Sequence, residues 1–486
     1  MVGGGITGLT TAFLLKEAGA RVAVIEAGRV ASGTTGYTTA KITALHGLTY
    51  AQLISDHGLE KAHLYADANQ AAIEKVAGLV DQLGVDCQFE RQAAYTYTET
   101  DDRTGDIGAE VEAASSVGLP VTYVEKTTLP FPIRAAVRLD KQAQFHPRRY
   151  CLALAEAIAG DGCRVFEQTR ALDVEEEADR VTVHTDRGDV VADQVVVATL
   201  LPPGTIGGFF AKAQPSRSYA IAVRLRGQAP SGMYLRAESP TRSIRPLPLD
   251  GEVGLVLGGA NHKTGQEKHT GAYYEELEQW ANSAFEVDRV EYRWSAQDYT
   301  TVDSLPYVGR SPRRQRTFVA TGFKKWGMSN GTAAAMLFTD LIAGRDNPWA
   351  AMYDATRIGD IGTTAKLVKE NVGVAKRFIQ DRITRRQAPA LADLGAEDLQ
   401  AGEGRIVDLE GDKIGAYREH DGTVHAVSVT CTHLSCTLKW NSAETTWDCP
   451  CHGSRFDYKG QVVNGPAVED LAYLTLNAPK QATQSE

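Results

Sequence analysis

Long apolar runs are missing from this chain. Nowhere in its 486 residues do apolar side chains run uninterrupted for the roughly 18 positions that a membrane-spanning helix needs. No basic segment leading into an apolar one opens it, as a secretory leader would. Both absences point to a cytoplasmic protein without a transmembrane segment. Positive charge is also in deficit: 51 Lys and Arg face 61 Asp and Glu, for a net charge of −10, which leaves no basic footprint for nucleic acid. Cysteine is scarce and unevenly spread. Of the seven, Cys87, Cys151 and Cys163 are scattered, so no secreted-type disulfide framework is laid out. The other four lie between positions 431 and 451. At roughly 100–200 residues per domain the length allows two to four domains with ample core.

The clustered cysteines come with histidines. Cys431-Thr432-His433 is followed, after fifteen residues, by Cys449-Pro450-Cys451-His452, so each end supplies thiolate and imidazole together. This pattern resembles Rieske [2Fe–2S] proteins, in which two thiolates hold one iron and two neutral imidazoles the other, giving potentials of roughly −150 to +300 mV. The resemblance implies Cys431 and Cys449 on one iron, His433 and His452 on the other, and a disulfide between Cys436 and Cys451 that ties the two ligand loops together. It also implies that Ser454, after Gly453, points its hydroxyl at the cluster, and that Gly465-Pro466 forms a shielding loop. One departure matters. High-potential members carry tyrosine two residues after that serine, and this chain has Phe456, so a hydrogen bond to a ligand sulfur is missing. A Cys₂His₂ set also suits tetrahedral zinc, although zinc fingers pair like with like at each end. The disulfide would be unusual in a reducing cytosol and rests on the resemblance alone.

The chain opens Gly3-Gly4-Gly5-Ile6-Thr7-Gly8, followed by an apolar helical run from Leu9 to Leu15, Gly19 as a stop, and a strand Arg21–Ile25 ending in Glu26. That is the order of a dinucleotide fingerprint. Gly3, Gly5 and Gly8 let the backbone approach a pyrophosphate, the helix N-terminus faces its charge, and Glu26 takes the ribose hydroxyls. Only Met1 and Val2 precede the glycines, against about 5–6 residues in an ordinary strand. The first strand is therefore expected to be nearly absent, with a start further upstream left open.

Later segments resemble the glycine oxidase/D-amino acid oxidase family of FAD enzymes. Ala192-Asp193-Gln194 leading into Val195–Val197, Ala198 and Thr199 resembles the strand by which that family returns to its cofactor. Thr301-Val302-Asp303-Ser304-Leu305-Pro306-Tyr307-Val308-Gly309 and Phe318–Phe323, with Gly322 and Gly327, resemble its C-terminal flavin motif, followed by a helix from Ser329 to Leu341. Phe145-His146-Pro147 matches a family loop that leads into a helix and then a strand, Arg164–Gln168; His146 reads as a helix cap. The segment Thr35-Gly36-Tyr37-Thr38-Thr39-Ala40-Lys41 departs from the family's usual loop, so covalent flavin attachment by a local His or Cys is not expected, although His46 lies just beyond.

Between these motifs, residues from about 205 to 300 alternate apolar and polar positions, as in Tyr219–Leu225, which argues for a half-exposed antiparallel sheet. The resemblance makes this the substrate-domain sheet over the flavin. Arg224, Arg236, Arg242 and Arg245 could clamp a carboxylate there; Lys324, Lys325 and His46 are the catalytic candidates. Residues 364–386 repeat Val368, Val372, Ala375, Ile379 and Ile383 at helical spacing against a basic face. A helix packed on its own flavin domain is expected, with peripheral membrane contact as the alternative. The resemblance as a whole implies an α/β, Rossmann-like FAD-binding domain with an antiparallel substrate-domain sheet (1–355), a basic helix and linker (356–398), and an all-β Rieske domain (399–480). It implies FAD and a [2Fe–2S] cluster as cofactors. Function follows as oxidation of an amine or amino-acid-like small molecule, electrons passing from flavin to cluster and on to an external one-electron acceptor. A reductase running the other way, from an external donor, and a non-catalytic redox sensor are the alternatives.

Overall fold

The computed structural model of the chain describes residues 1–249, 251–357, 399–409 and 412–474. Two units divide it: Met1–Lys263 with Gly271–Val368, and Thr264–Thr270 with Lys369–Glu486. The basic helix expected at 364–386 lies outside the described residues, as does the linker from 358 on.

The first unit is built on short parallel strands; Val195–Val197 is apolar and buried throughout, as a strand covered on both faces must be, whereas Arg164–Phe166 is largely exposed. Val2 alone stands for the first of them, bridging in parallel to Ile25 on one side and Val197 on the other. Beyond Ile25, the strand Ala23–Ile25 pairs in parallel with Arg164–Phe166. Beyond Val197, the strand Val195–Val197 pairs in parallel with Thr317–Thr321, which is flanked in turn by the antiparallel Tyr307–Arg310. Helix Ile6–Glu17 follows the glycine turn directly and ends at Gly19, whose φ of 88° suits glycine. The flavin-motif helix runs Gly327–Ile342, slightly longer than expected. Small residues let these two helices cross closely: a Cβ on Gly331 would lie 2.5 Å from Thr7 Oγ1.

A larger sheet forms the other layer, in the order Val287–Thr301, Ala213–Leu225, Glu252–Lys263, Arg242–Leu249, Met233–Arg236, Glu90–Thr98, Ala135–Gln144, Lys41–Ile42. The alternation from 205 to 300 accounts for only its first five strands. Residues 206–211 form a 3₁₀ turn with left-handed Gly207 and Gly208 instead of a strand. The remaining strands had no apolar period to betray them: Glu90–Thr98 reads Glu-Arg-Gln-Ala-Ala-Tyr-Thr-Tyr-Thr, yet Tyr97 and Thr98 are fully buried. Its pairing with Met233–Arg236 is parallel, so the sheet is mixed. Helix Leu59–Leu83 buries Tyr65, Asn69, Ala72, Ile73, Val76 and Leu79 at helical spacing against the core and closes on left-handed Gly84.

The described residues of the second unit form strands and loops without helix. Gly404–Leu409, Asp412–Arg418, Val424–Ser428 and Tyr473–Leu474 make one sheet; Lys439–Asn441, Thr446–Asp448, Arg455–Asp457 and Val462–Asn464 make another. Two glycines admit the core indoles, since a Cβ on Gly404 or Gly415 would strike Trp440 at 2.3 Å or Trp447 at 2.5 Å. Within the same unit, Thr270 Oγ1 donates to Asn441 Oδ1 at 2.8 Å and accepts from the Ala443 amide at 3.0 Å. Among the described residues no helix is long and apolar enough to cross a membrane.

Candidate cofactor and catalytic sites

The fingerprint glycines have separate tasks. Gly3 has φ of 110°, and a Cβ there would sit 2.4 Å from the Ala198 carbonyl oxygen; one on Gly8 would sit 2.0 Å from that of Gly3. Both close the turn, while Gly5 faces only Thr35 Oγ1, at 3.0 Å from its would-be Cβ, and leaves room for close approach. Glu26 ends its strand half-buried, Oε2 accepting from the Gly4 amide at 2.7 Å and Oε1 from the Gly28 amide at 2.8 Å. Thr199 follows Val195–Val197 on the neighbouring strand, its amide 3.4 Å from the would-be Cβ of Gly3. Helix Ile6–Glu17 has no acidic residue in its first turn, nor has Gly327–Ile342. Two helix N-termini meeting at Thr7 and Gly331 thus offer partial positive charge to an anion. Gly3, Gly5, Gly8, Glu26 and Thr199 come together at one end of the parallel strands; they could hold a dinucleotide.

Gly322 and Gly327 bracket a tight loop. Gly322 has φ of 80°, and a Cβ there would be 2.2 Å from Thr301 Cγ2. Lys324 and Lys325 follow with φ of 50° and 70°, both left-handed, a conformation that costs a non-glycine residue about 1–3 kcal/mol. Asp298 holds the turn, accepting from the Lys325 amide and, at 2.8 Å, from that of Tyr299. Burial pushes the Asp298 carboxyl up to about 6. Lys325 is exposed at its surface, and the protein packed around its ammonium lowers its pKa.

His46 packs behind this loop. It is 3% exposed and stacks on Trp326 with centroids 4.4 Å apart. Its Nε2 donates to the Thr43 carbonyl at 2.7 Å, so Nδ1 accepts the Tyr65 hydroxyl at 2.7 Å. Burial depresses its pKa to about 3, and with both nitrogens engaged the ring braces the Gly327–Ile342 helix through Ser329 Oγ at 3.1 Å.

The four arginines separate by partner. Arg224 pairs with Glu252 and Glu291, Arg236 with Glu99 at 3.1 Å, and Arg242 with Glu276 at 2.6 Å. Among the described residues Arg245 forms no ion pair; its Nη1 donates to the Pro246 carbonyl at 3.3 Å. Beside it lies Lys41, which sequence reasoning did not single out. Lys41 Nζ donates to Ser243 Oγ at 2.5 Å and to the Tyr234 carbonyl at 3.1 Å. Burial, helped by the Arg245 charge, lowers Lys41 to about 7, and burial lowers Arg245 to about 10. No local pattern marks Lys41, because its burial depends on strands about 200 residues away.

In the second unit, one loop leaves Val424–Ser428 and carries Cys431 and His433; the other, between Thr446–Asp448 and Arg455–Asp457, carries Cys449 and His452. The Cys431 amide donates to the Cys436 carbonyl at 2.9 Å, and that of Cys449 to the Ser454 carbonyl at 2.8 Å. Ser454 Oγ accepts from the Ala467 amide at 3.0 Å, drawing in the segment after Gly465-Pro466. The disulfide implied by resemblance is present between Cys436 and Cys451. Three sulfurs, of Cys436, Cys449 and Cys451, lie within 4.8 Å of one another, but two are bonded to each other and unavailable to a metal. Cys431 and Cys449 are the free buried pair. They share a hydrogen bond that, with the His433 amide and the Ser454 hydroxyl, pulls Cys431 down to about 7 and leaves the Cys449 thiol raised. The rings of His433 and His452 meet edge to face, with centroids 5.2 Å apart. Burial, and then the charge of His433, lower His452 to about 4, which keeps it in the neutral form that binds metal. Phe456, fully buried, packs in the same apolar cluster as these sulfurs.

A glycine cradle at two helix N-termini and a Cys₂His₂ cage thus occur on one chain. Residues 1–341 match the FAD dependent oxidoreductase family model, and residues 391–475 match the Rieske [2Fe-2S] domain. The chain belongs to the FAD dependent oxidoreductase family. Its cofactors are FAD in the first unit and a [2Fe–2S] cluster in the second. Among its relatives is the YhfW protein of Bacillus subtilis (strain 168), named for a Rieske 2Fe-2S iron-sulfur centre, 38% identical over 98% of this chain and 93% of that one. Glycine oxidase from Geobacillus kaustophilus superposes with a TM-score of 0.62 at 20% identity, covering 74% of this chain and 97% of that one. A cytochrome b6-f iron-sulfur subunit of Nostoc sp. is 50% identical over 50 residues, which are 10% of this chain and 28% of that one.

Proposed function

We propose that this chain, acting in the cytoplasm, oxidises a C–H bond beside an amine or amino acid nitrogen and hands the electrons on through its cluster to an external one-electron acceptor. The observation that carries the reading is the tight loop Gly322–Gly327 that leads into the helix Gly327–Ile342. There a helix N-terminus and Lys325 supply positive potential beside the dinucleotide cradle, which favours the negative charge of a reduced flavin. Gly3, Gly5 and Gly8 would admit the pyrophosphate, Glu26 the ribose hydroxyls, and Thr199, Gly322 and Gly327 the flavin end. Cys431 and Cys449 would hold one iron, His433 and His452 the other. Bound there, a flavin supplies a two-electron acceptor that can release electrons singly, and the cluster takes them one at a time. Asp298 keeps the lysine loop in its left-handed turn, and His46 braces the helix behind it. No side chain is assigned as general base, because an amine already neutral in a dry pocket needs none. The domain limits are placed at 1–355 and 399–480.

Anaerobic mixing with a panel of amines, amino acids and hydroxy acids, while flavin and cluster absorbance are followed, tests this. Bleaching of flavin and then of cluster by an amine or amino acid is expected. Bleaching only by an external electron carrier would overturn the reading in favour of a reductase.

A further inference from the structure

Seven residues encoded inside the flavin domain are built into the iron–sulfur unit. The strap Thr264–Thr270 buries Thr264, Gly265 and Thr270 and leaves Gln266, Glu267, Lys268 and His269 exposed. Both of its landing points lie on the stretch 441–450, which leads into the second ligand loop. Gly265 passes the Cys449–Pro450 peptide in a left-handed conformation, with φ of 67°, and a Cβ there would sit 2.7 Å from the Pro450 nitrogen and 3.0 Å from both the Asp448 carbonyl oxygen and the Cys449 carbonyl carbon. All three are backbone atoms, which cannot swing aside as the end of a side chain can. Thr270 Oγ1 donates to Asn441 Oδ1 at 2.8 Å, and Asn441 Nδ2 in turn to Asp448 Oδ2 at 2.8 Å. One contact therefore presses on the peptide of Cys449 itself, and the other reaches its neighbour through one amide side chain.

The ends of the strap are pinned within the first unit. His262, before it, and Tyr273, after it, stack with ring centroids 5.0 Å apart and planes 13° from parallel. Tyr219 backs them, its ring centroid 5.1 Å from that of Tyr273. His262 Nδ1 donates to the Lys263 carbonyl at 2.9 Å, so its Nε2 accepts the Tyr219 hydroxyl at 3.0 Å. His262 and Tyr219 are 8% and 1% exposed, which makes this base part of the core and not a surface hinge. A loop whose two ends are already held loses little freedom when its middle docks. Such a loop can hold firmly what it touches.

We infer that Thr264–Thr270 completes the cluster site: Gly265 and Thr270 are positioning residues that hold the Cys449 loop, the first through the backbone of 448–450 and the second through Asn441 and Asp448. Groups that orient a metal's ligands govern its retention and tuning without touching it. The inference rests on the reading of Cys449 as a cluster ligand, and it needs neither the substrate nor the direction of electron flow.

The full-length protein, loaded with FAD and cluster, tests it by two readouts: the electron paramagnetic resonance g values of the reduced cluster, and the rate at which a chelator strips its iron. Gly265→Ala is expected to shift the g values and to speed stripping by about tenfold or more, with FAD retained. Gly422 supplies the control, since it lies in the same unit at φ of 94° and a Cβ there would meet nothing nearer than Arg418 Nη2 at 3.8 Å. Gly422→Ala should strain the backbone comparably yet leave both readouts at parental values. Thr270→Val should also speed stripping, and Thr270→Ser should restore the parental rate. If Gly265→Ala only lowers Tm, with g values and stripping rate like those of Gly422→Ala, the strap stabilises the fold alone and the inference is overturned. If Gly265→Ala does not fold, the Thr270 variants decide: faster stripping in Thr270→Val that Thr270→Ser restores upholds the inference, and equal stripping in Thr270→Val and the parent overturns it. Cys449→Ser tests the reading beneath. An unchanged Rieske signal in that variant removes Cys449 from the ligands and the inference with it, whereas loss of the signal there, beside parental behaviour of Gly265→Ala and Thr270→Val, overturns the role of the strap alone.

Discussion

Phe456 shows what one missing atom does. It is fully buried in the apolar cluster that contains Cys431 and Cys449. A phenol there would donate to a sulfur that becomes more negative on reduction, so Phe456→Tyr is expected to raise the cluster potential. One differential hydrogen bond of about 1 kcal/mol corresponds to ~40 mV for one electron; potentiometry of both proteins, followed by cluster absorbance, checks it. His46 makes a prediction of another kind. Its folded pKa of about 3 lies below the ordinary 6.5, so between those values the unfolded chain binds the extra proton. Stability contributed by the neutral ring is therefore complete above pH 6.5 and is lost as pH falls through that window. His46→Gln should flatten the acid limb of a Tm–pH curve, and an unchanged slope would show that the ring is not buried neutral. Cys431, His433, Cys449 and His452 could be proposed from the sequence because each candidate pair is local, two positions apart in one and three in the other. Lys41 was not, since nothing nearby along the chain distinguishes it from a surface lysine.

At the scale of elements, the hairpin of Thr446–Asp448 and Arg455–Asp457 holds the second ligand loop at its base. Arg455 Nε donates to Asp448 Oδ1 at 3.0 Å, with Nη1 on Asn464 at 3.0 Å and Nη2 on Thr446 at 3.1 Å. Asn441 and Thr446 complete the carboxylate, each at 2.8 Å. Asp448 and Arg455 are 1% and 5% exposed, so neutralising Asp448 leaves the buried guanidinium with only the more distant Glu444, at 3.8 Å. Asp448→Asn is expected to destabilise the second unit by about 3–5 kcal/mol, measured as an earlier denaturant midpoint with an unchanged slope. The elements read best from sequence were those with their own signals: the glycine turn into Ile6–Glu17, and the His146 cap, whose Nδ1 accepts from the Arg149 amide at 3.4 Å. The strands Glu90–Thr98 and Ala135–Gln144 were missed because their pattern is polar; tertiary pairing buries them regardless. Val2 illustrates the converse. Its parallel bridges to Ile25 and Val197 place it in register between them without any pattern in the sequence to mark a strand.

For the molecule as a whole, the question is which end electrons enter. If flavin is the entry, a Cys449→Ser protein should still be reduced by substrate in a single turnover, yet stall with one-electron acceptors. A reductase would lose flavin reduction by an external carrier in that variant, and a sensor would turn over neither. Rapid-mixing absorbance traces of the variant separate the three. The seven residues Thr264–Thr270 carry a last consequence. They are encoded between a strand and a helix of the oxidoreductase domain yet belong to the iron–sulfur unit, where Thr270 satisfies Asn441 and Ala443. No single cut in the gene frees an intact iron–sulfur module. A polypeptide starting at 399 lacks Thr270 and its bonds to Asn441 and Ala443, and is expected to melt below the same unit in the full chain, which calorimetry of both proteins checks.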